Sequence, residues 1–191
     1  MINSWATNGI KAIVLYPMNA LATDQAKRFA EACWDIKQQH GEQLTVGLLI
    51  GEGAGKKSDR NRSMELDKVI EHRDTILNNP PDILLTNFKM LDYALMRDDL
   101  NKLWSNNLNN SSLLQYLVLD ELHTYDGAQG TDVANLLRRL KLKLESQLPR
   151  GEQISLTPVG TSATVGDELE GRAAQLGGRA PVTIKAADLD L

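Results

Sequence analysis

The stretch Leu117-Val-Leu-Asp-Glu-Leu-His123 decides the fold. It opens with an apolar run typical of a buried β-strand and ends in two carboxylates, with a histidine after one further residue. Open α/β sheets bind ligands beyond the carboxyl ends of their strands. A magnesium–nucleotide site needs one carboxylate to hold the hydrated metal and a second to orient the attacking water, and Asp120 and Glu121 are candidates. A strand ending in solvated acids is an equally weighted interpretation of so short a motif.

Apolar runs elsewhere in the chain predict the remaining strands. Strands are expected at residues 12–16, 44–50, 82–86, 116–120 and 154–160, and helices at 20–39, 64–77, 89–96 and 131–148. Their alternation predicts one α/β domain with a mainly parallel sheet between helical layers. We expect a mobile loop at residues 51–62, an asparagine-rich surface connection at 98–112, and a short helix with a frayed tail after Gly160.

Composition restricts the class of protein. The 191 residues are enough for one domain with a proper core, and 42% apolar with 24% charged residues is ordinary for a soluble protein. The net charge of −4 argues against bulk electrostatic binding of nucleic acid, but not against a few aimed contacts. The single cysteine, Cys33, excludes an internal disulfide and a cysteine zinc cluster.

Targeting signals are not evident in the sequence. Residues 1–5 lack the basic start of a signal peptide, and the apolar run at 12–16 is too short for its core. No apolar stretch approaches the length of a membrane span. We therefore expect a soluble, cytoplasmic protein without a membrane partner.

A glycine-rich loop at Gly53-Ala-Gly-Lys-Lys-Ser58 invites a phosphate-binding interpretation that its spacing does not support. A P-loop has a glycine five residues before its last glycine, and Ser or Thr directly after the lysine. Position 50 is Ile, and Lys57 separates Lys56 from Ser58. A surface loop is the better interpretation.

Two further patterns carry less weight. The basic residues of the last predicted helix are Arg138, Arg139, Lys141 and Lys143. A solvated helix face explains them better than a nucleic-acid stripe. A metallohydrolase built on the acidic pair and His123 would need additional ligands.

Four motifs, each just past a predicted strand, carry a family resemblance. They are Leu15–Gln25, Leu84–Leu91, Asp120–His123 and Gly160–Thr164. In this order they resemble motifs Ia, Ib, II and III of the first RecA-like lobe of superfamily 2 DEAD/DEAH-type helicases. Residues 123–140 are similar to the YprA/MrfA-type bacterial DNA helicases within that superfamily. The resemblance implies a RecA-like sheet of the P-loop NTPase type, in a partial helicase ATP-binding domain.

The resemblance also implies nucleotide chemistry with ATP and Mg²⁺ as cofactors. Asp120 would hold the water shell of the magnesium, and Glu121 would polarise the hydrolytic water. His123, Ser162 and Thr164 would couple the nucleotide state to a second lobe. We expect all five side chains to share one pocket at the sheet edge.

A nucleic-acid track follows from the other two motifs. By the resemblance, Met18 and Asn19, with Thr86 and Asn87, would contact the sugar-phosphate backbone of single-stranded DNA. Small polar groups suit a contact that does not identify bases. Met18 and Asn19 depart from the family pattern, where Thr is usually followed by Arg or Lys, and Leu122 stands where Ala is commoner.

Parts of the motor lie outside the resemblance. Helicases of this family carry a P-loop before the strand that corresponds to residues 12–16. They also carry a second RecA-like lobe, with an arginine finger, after motif III. Since an arginine finger alone contributes about 10³ to 10⁵ in rate, we expect a truncated lobe that is inactive by itself. The alternative is a non-catalytic module, derived from a helicase lobe, that binds nucleic acid or a partner without turnover.

Overall fold

Five parallel strands form one sheet in the order β2-β3-β1-β4-β5. They are β1 (Ala12–Tyr16), β2 (Val46–Leu49), β3 (Ile83–Asn87), β4 (Tyr116–Leu119) and β5 (Thr157–Gly160). This computed structural model describes residues 7–51, 60–121, 124–125, 127–149 and 152–161. Leu15 pairs with Thr86 on one side and Leu119 on the other, so the carboxyl ends of three strands lie level. The predicted parallel sheet is confirmed.

Helices cover both faces of the sheet. The helix α1 (Asn19–His40) packs on one face, while α3 (Phe88–Met96) and α5 (Gly127–Glu145) contribute to the core on the other. Alternate residues of β1 serve the two layers, since Ile13 and Leu15 join the α3–α5 core and Val14 joins the α1 core. A strand that is buried on both faces needs an apolar residue at every position, as this strand has.

Small side chains allow α1 to lie close to the sheet. Its buried residues are Ala22, Ala26, Ala30 and Cys33. Burial, with a lesser contribution from the charge of Asp82, raises the pKa of the Cys33 thiol to about 11. The cysteine is thus a packing residue that stays protonated at neutral pH.

The helix predicted at residues 64–77 is much shorter than expected. Only α2 (Arg73–Asn78) is helical, and Ile70 instead forms a parallel bridge to Gly47 of β2. Ile70 N–H donates to Val46 O at 2.9 Å, and Leu48 N–H donates to Ile70 O at 2.8 Å. Covering the outer edge of β2 satisfies backbone groups that a helix there would leave exposed.

The segment at residues 98–112 is part of the core rather than a surface connection. It forms a 3₁₀ helix (Asp98–Trp104), the helix α4 (Ser105–Asn109) and a second 3₁₀ turn (Ser111–Leu113). Its fully buried side chains are Leu100, Leu103, Trp104 and Asn107. The Asn107 amide donates to Ile10 O and accepts from Ile10 N–H, which satisfies both backbone groups of that buried residue. Most polar residues of this segment face outward, and their number led to the prediction of a surface connection although the segment contains buried apolar side chains.

Two expectations fall mostly outside the described residues. These are the mobility of the loop at 51–62, where residues 52–59 are not described, and the helix after Gly160. The end of that loop is anchored, since the Asn61 carbonyl accepts from Glu71 N–H at 2.8 Å and His72 N–H at 2.9 Å. Among the described residues, no helix combines the length and apolarity that crossing a membrane demands.

A buried ion pair ties three strands together at their amino ends. Lys11 is 0% exposed, and its ammonium lies 2.5 Å from Asp82 Oδ1. Asp82 Oδ2 accepts from Thr45 N–H at 2.8 Å and from the Thr45 hydroxyl at 2.7 Å. Lys11 precedes β1, Thr45 precedes β2 and Asp82 precedes β3, so one carboxylate fixes their relative positions.

Replacing Asp82 with Ala should therefore destabilise the chain. Removing one partner of a buried pair leaves an uncompensated charge, and we expect a loss of about 3–5 kcal/mol in the free energy of unfolding. Chemical denaturation measures the loss, and Asp67→Ala, at an exposed carboxylate, is the control that changes little. Equal effects of the two substitutions would contradict the role of the pair.

Candidate nucleotide and nucleic-acid site

Asp120 lies at the carboxyl edge of the sheet, one residue beyond β4. Its N–H donates to Leu15 O at 2.9 Å, and Thr161 N–H donates to Leu119 O at 2.9 Å. The hydrogen-bond ladder therefore continues past the strand ends and sets Asp120 beside Thr161. The Thr161 hydroxyl donates to Asp120 Oδ1, which fixes the orientation of the carboxylate.

Glu121 turns the chain away from the sheet. It adopts a left-handed backbone conformation with φ of 52°, and its carbonyl accepts from Thr124 N–H at 2.8 Å. A non-glycine residue in this region is strained, and such strain concentrates at functional positions. Asp120 and Glu121 are both partly exposed as residues, while the Oε2 atom of the Glu121 carboxylate is buried.

Two tyrosines, the buried Tyr16 and the partly buried Tyr125, lie within reach of the charge of Asp120. Burial raises the pKa of the Tyr16 and Tyr125 phenols well above the usual range, and the Asp120 carboxylate raises it further. The Tyr125 hydroxyl donates to Leu15 O at 3.4 Å. Gly130 of α5 holds this segment closely, since a Cβ there would lie 2.6 Å from the Tyr125 carbonyl oxygen.

The residues at this edge fit a hydrated magnesium ion better than a directly coordinated metal. One Asp120 oxygen accepts from Thr161, and an ionised carboxylate has further acceptor capacity for a metal-bound water. Within the described part of the chain, no group of three or more His, Cys, Asp or Glu side chains could hold a metal. Mg²⁺ keeps several waters when one or two carboxylates bind it, so Asp120 suits that role.

The coupling residues remain predictions. His123, Ser162 and Thr164 lie outside the described residues. The structure brings Asp120 next to Thr161, the residue immediately before Ser162, and this contact was missed by the sequence analysis. This contact could have been inferred only from strand register. Because Gly160 pairs with Leu119, the next residue on each strand, Thr161 and Asp120, must also be neighbours.

A groove of about 870 Å³ opens at the same edge, beyond β1, β2 and β3. Three predicted contact residues line it, namely Met18, Asn19 and Asn87. Residues that the sequence analysis missed also line it, and they are Arg60, Arg73, Lys89, Phe88 and Tyr93. Guanidinium, ammonium, amide and aromatic groups are the types that hold a nucleic-acid backbone and its bases.

Two asparagines connect the helices that border this groove. Asn87 caps α3, because its Oδ1 accepts from Met90 N–H at 2.7 Å. The Asn87 amide also donates to Asn19 Oδ1, at the first residue of α1. Met18 precedes α1, makes no side-chain cap and is 59% exposed. The two motifs thus meet in one wall of the groove.

Thr86 is placed differently from the other predicted contacts. Its side chain is buried, and its hydroxyl donates to Leu49 O at 2.5 Å. It does not line the groove. The β-sheet register explains this, since Thr86 pairs with Leu15 and Leu49 one level below the exposed edge. We therefore correct the expected contact through this hydroxyl.

Two of the four basic residues of α5 contact neighbouring elements. Arg139 pairs with Asp92 of α3 at 2.6 Å, and Lys143 donates to Leu95 O at 3.3 Å and to Asn101 Oδ1 at 2.9 Å. They hold α5 against α3 and the 3₁₀ helix. The preference for a solvated helix face over a nucleic-acid stripe stays a prediction for this helix.

Comparison with known families gives a match over most of the chain. The DEAD/DEAH box helicase family matches residues 1–171. The chain belongs to the DEAD/DEAH box helicase family. The four ordered motifs and the parallel sheet agree with that membership.

Individual relatives of this DEAD/DEAH box helicase chain are longer. It is 30% identical over 142 residues to the uncharacterized ATP-dependent helicase MJ1574 of Methanocaldococcus jannaschii, covering 74% of this chain and 18% of that protein. It is 35% identical over 131 residues to the uncharacterized ATP-dependent helicase YprA of Bacillus subtilis, and the match covers 69% of this chain and 14% of that protein. The crystal structure of the DUF1998 helicase MrfA bound to DNA and AMPPNP is similar, with a TM-score of 0.54 and 26% identity over 85% of this chain and 19% of that one. The chain thus spans less than a fifth of each.

The two tyrosines near Asp120 predict how stability depends on pH. Because their pKa is raised in the folded state, unfolding releases their protons once the pH exceeds ~10, the value of a free phenol. Their contribution to stability is complete below that pH and is lost as the pH rises further. Tyr125→Phe should therefore flatten the fall in unfolding free energy between about pH 10 and 12. Urea denaturation at a series of pH values measures this free energy. A parent chain of constant stability over this range would contradict the prediction.

Proposed function

We propose that this chain is the first motor lobe of an ATP-dependent helicase or translocase that moves along single-stranded DNA. The observation that carries the proposal is a shared sheet edge. Asp120 lies beyond β4, and the groove lined by Asn19, Asn87 and three cations lies beyond the neighbouring strands. The similarity to MrfA, solved with DNA and AMPPNP, supports both ligands for this lobe.

The proposed chemistry is phosphoryl transfer from ATP to water. Mg²⁺ bound with ATP supplies charge neutralisation for the phosphates. Asp120, oriented by the Thr161 hydroxyl, would hold a water of the ion's shell. The Glu121 carboxylate would orient the attacking water and accept its proton. His123, Ser162 and Thr164 would pass the change at this site to a second lobe, through exchangeable hydrogen bonds.

The phosphate ligands of ATP are the missing element within these 191 residues. The sequence contains no G-x-x-x-x-G-K-[ST] pattern, whose backbone amides and lysine cradle the β- and γ-phosphates. We therefore propose that turnover requires a longer polypeptide with a P-loop and a second lobe. The small share of MJ1574 and YprA that this chain covers supports that view.

The ATPase proposal gives a first prediction. The 191-residue chain should show no DNA-stimulated ATP hydrolysis, measured as phosphate release, because its sequence contains no P-loop pattern to hold the β- and γ-phosphates. A longer polypeptide with both lobes should hydrolyse ATP, and Glu121→Gln there should reduce kcat by at least about a hundredfold. Glu42→Gln, at an exposed position before β2 and outside the groove, is the matched control.

If the 191-residue chain hydrolyses ATP and Glu121→Gln abolishes that activity, the proposal that turnover requires a second lobe is wrong. If the longer polypeptide still hydrolyses ATP after Glu121→Gln, the proposed role of Glu121 is wrong. Folding of each variant is checked by thermal unfolding before activity is compared.

The nucleic-acid proposal gives a second prediction, at Asn19. Asn19→Asp places a negative charge in the groove and should weaken binding of labelled oligo-dT about fivefold at low salt, by repulsion of phosphate. An acidic residue in the first turn of α1 favours the helix, so lost binding would not reflect unfolding. Asn109→Asp, an exposed position of α4 outside the groove, brings the same charge change as a control. Equal weakening by both would count against the groove.

A second candidate function is nucleic-acid binding without turnover. The groove lies wholly within this chain, whereas the sequence contains no P-loop pattern, and this favours a module that binds but does not hydrolyse. ATPase activity of the longer polypeptide distinguishes the two. Binding of oligo-dT without any such activity would support the module.

A further inference from the structure

Asp99 bridges two arginines at one wall of the groove. Arg73, the first residue of α2, lines the groove and donates from Nη2 to Asp99 Oδ2 at 2.7 Å. Arg97 donates from Nε to Asp99 Oδ1 at 2.8 Å. The Arg97 guanidinium also lies over the ring of Tyr93, 4.9 Å from its centroid, and Tyr93 lines the same groove. One carboxylate thus engages two arginines next to the proposed DNA path.

The charge of Asp99 opposes the ligand that the groove would bind. The groove presents the cations Arg60, Arg73 and Lys89 toward a phosphate backbone. Asp99 neutralises one of these cations and would repel an incoming phosphate. The hydrogen bond from Arg97 holds the pKa of Asp99 below its usual value, so this carboxylate stays ionised at neutral pH.

The pair is placed so that a phosphate could displace it. The side chains of Arg73 and Asp99 are 32% and 47% exposed, and ion pairs at such positions are weak and screened by salt. A guanidinium has five donors and matches phosphate in a two-pronged geometry. Arg73 can therefore exchange the carboxylate for a phosphate without moving its backbone.

We infer that Asp99 competes with nucleic-acid phosphate for Arg73 and so limits the affinity of the groove. This rests on the proposed function of the groove as a DNA path. Arg73 is a phosphate-contact residue that the four motifs do not include, and Asp99 is a positioning residue that keeps the contact exchangeable. A strand that must move past the lobe benefits from contacts that release readily.

The test compares four variants of the 191-residue chain by fluorescence anisotropy with labelled oligo-dT at several salt concentrations. Asp99→Asn should tighten binding about two- to fivefold at low salt, the range of an exposed ion pair, and steepen the salt dependence by up to about 0.7 in log–log slope. Arg73→Gln should weaken binding and make that slope shallower by about 0.7. In the Arg73→Gln background, Asp99→Asn should add little.

Asp98→Asn is the matched control. Asp98 neighbours Asp99 in the same 3₁₀ helix and accepts from the Asn101 amide at 3.1 Å, so the substitution changes charge equally without touching Arg73. Thermal unfolding of all variants confirms that they fold. The inference requires that Asp99→Asn tighten binding more than Asp98→Asn does.

Failure of the inference and failure of the proposed function give different results. If the parent binds and Arg73→Gln weakens binding, but Asp99→Asn does not exceed its control, the competition is refuted and the DNA path stands. A gain that persists in the Arg73→Gln background also refutes the competition. If the parent does not bind oligo-dT at all, the DNA path is refuted and the inference with it.

Discussion

The buried Lys11–Asp82 pair is the interaction on which the arrangement of the sheet depends. One carboxylate receives the ammonium of Lys11 and two donors of Thr45, so the chain segments that enter β1, β2 and β3 are fixed at a single point. Burying these charges is unfavourable unless every partner is present, which disfavours slipped registers. In parallel strands, the register at the amino ends decides which residues meet at the carboxyl ends. The edge that carries the candidate sites is therefore set from the opposite end of the sheet.

That register explains why the edge carries two neighbouring candidate sites. Asn87 and Asp120 each lie just beyond the level of Leu15, on opposite sides of β1, so the groove and the acidic pair share β1 as their boundary. Tyr16 and Tyr125 both lie close enough to Asp120 for its charge to raise the pKa of their phenols. The two candidate sites thus lie on the two sides of one strand.

Sequence patterns predicted the strands well, because strands buried on both faces are continuous apolar runs. The sequence patterns gave wrong predictions in two segments, 64–77 and 98–112, where the apolar residues make tertiary contacts that the patterns do not indicate. Ile70 belongs to a bridge that covers the edge of β2, and the helical spacing around it was coincidental. Trp104 and Asn107 lie fully buried within a segment whose overall polarity indicated a surface. The mean polarity of a segment does not show which of its single side chains are buried, because burial depends on the tertiary contacts of each side chain.

The sequence by itself determined the parallel sheet, the family, and the positions of Asp120, Asn19 and Asn87 at the carboxyl ends of strands. These follow from local order, since a motif directly after a strand must lie at its end. Tertiary structure alone decided that Thr161 holds Asp120, that Thr86 turns inward to Leu49, and that Arg73 reaches the groove with Asp99 attached. The physical reason is that these contacts join residues 26 to 41 positions apart, and their geometry depends on strand register and helix packing.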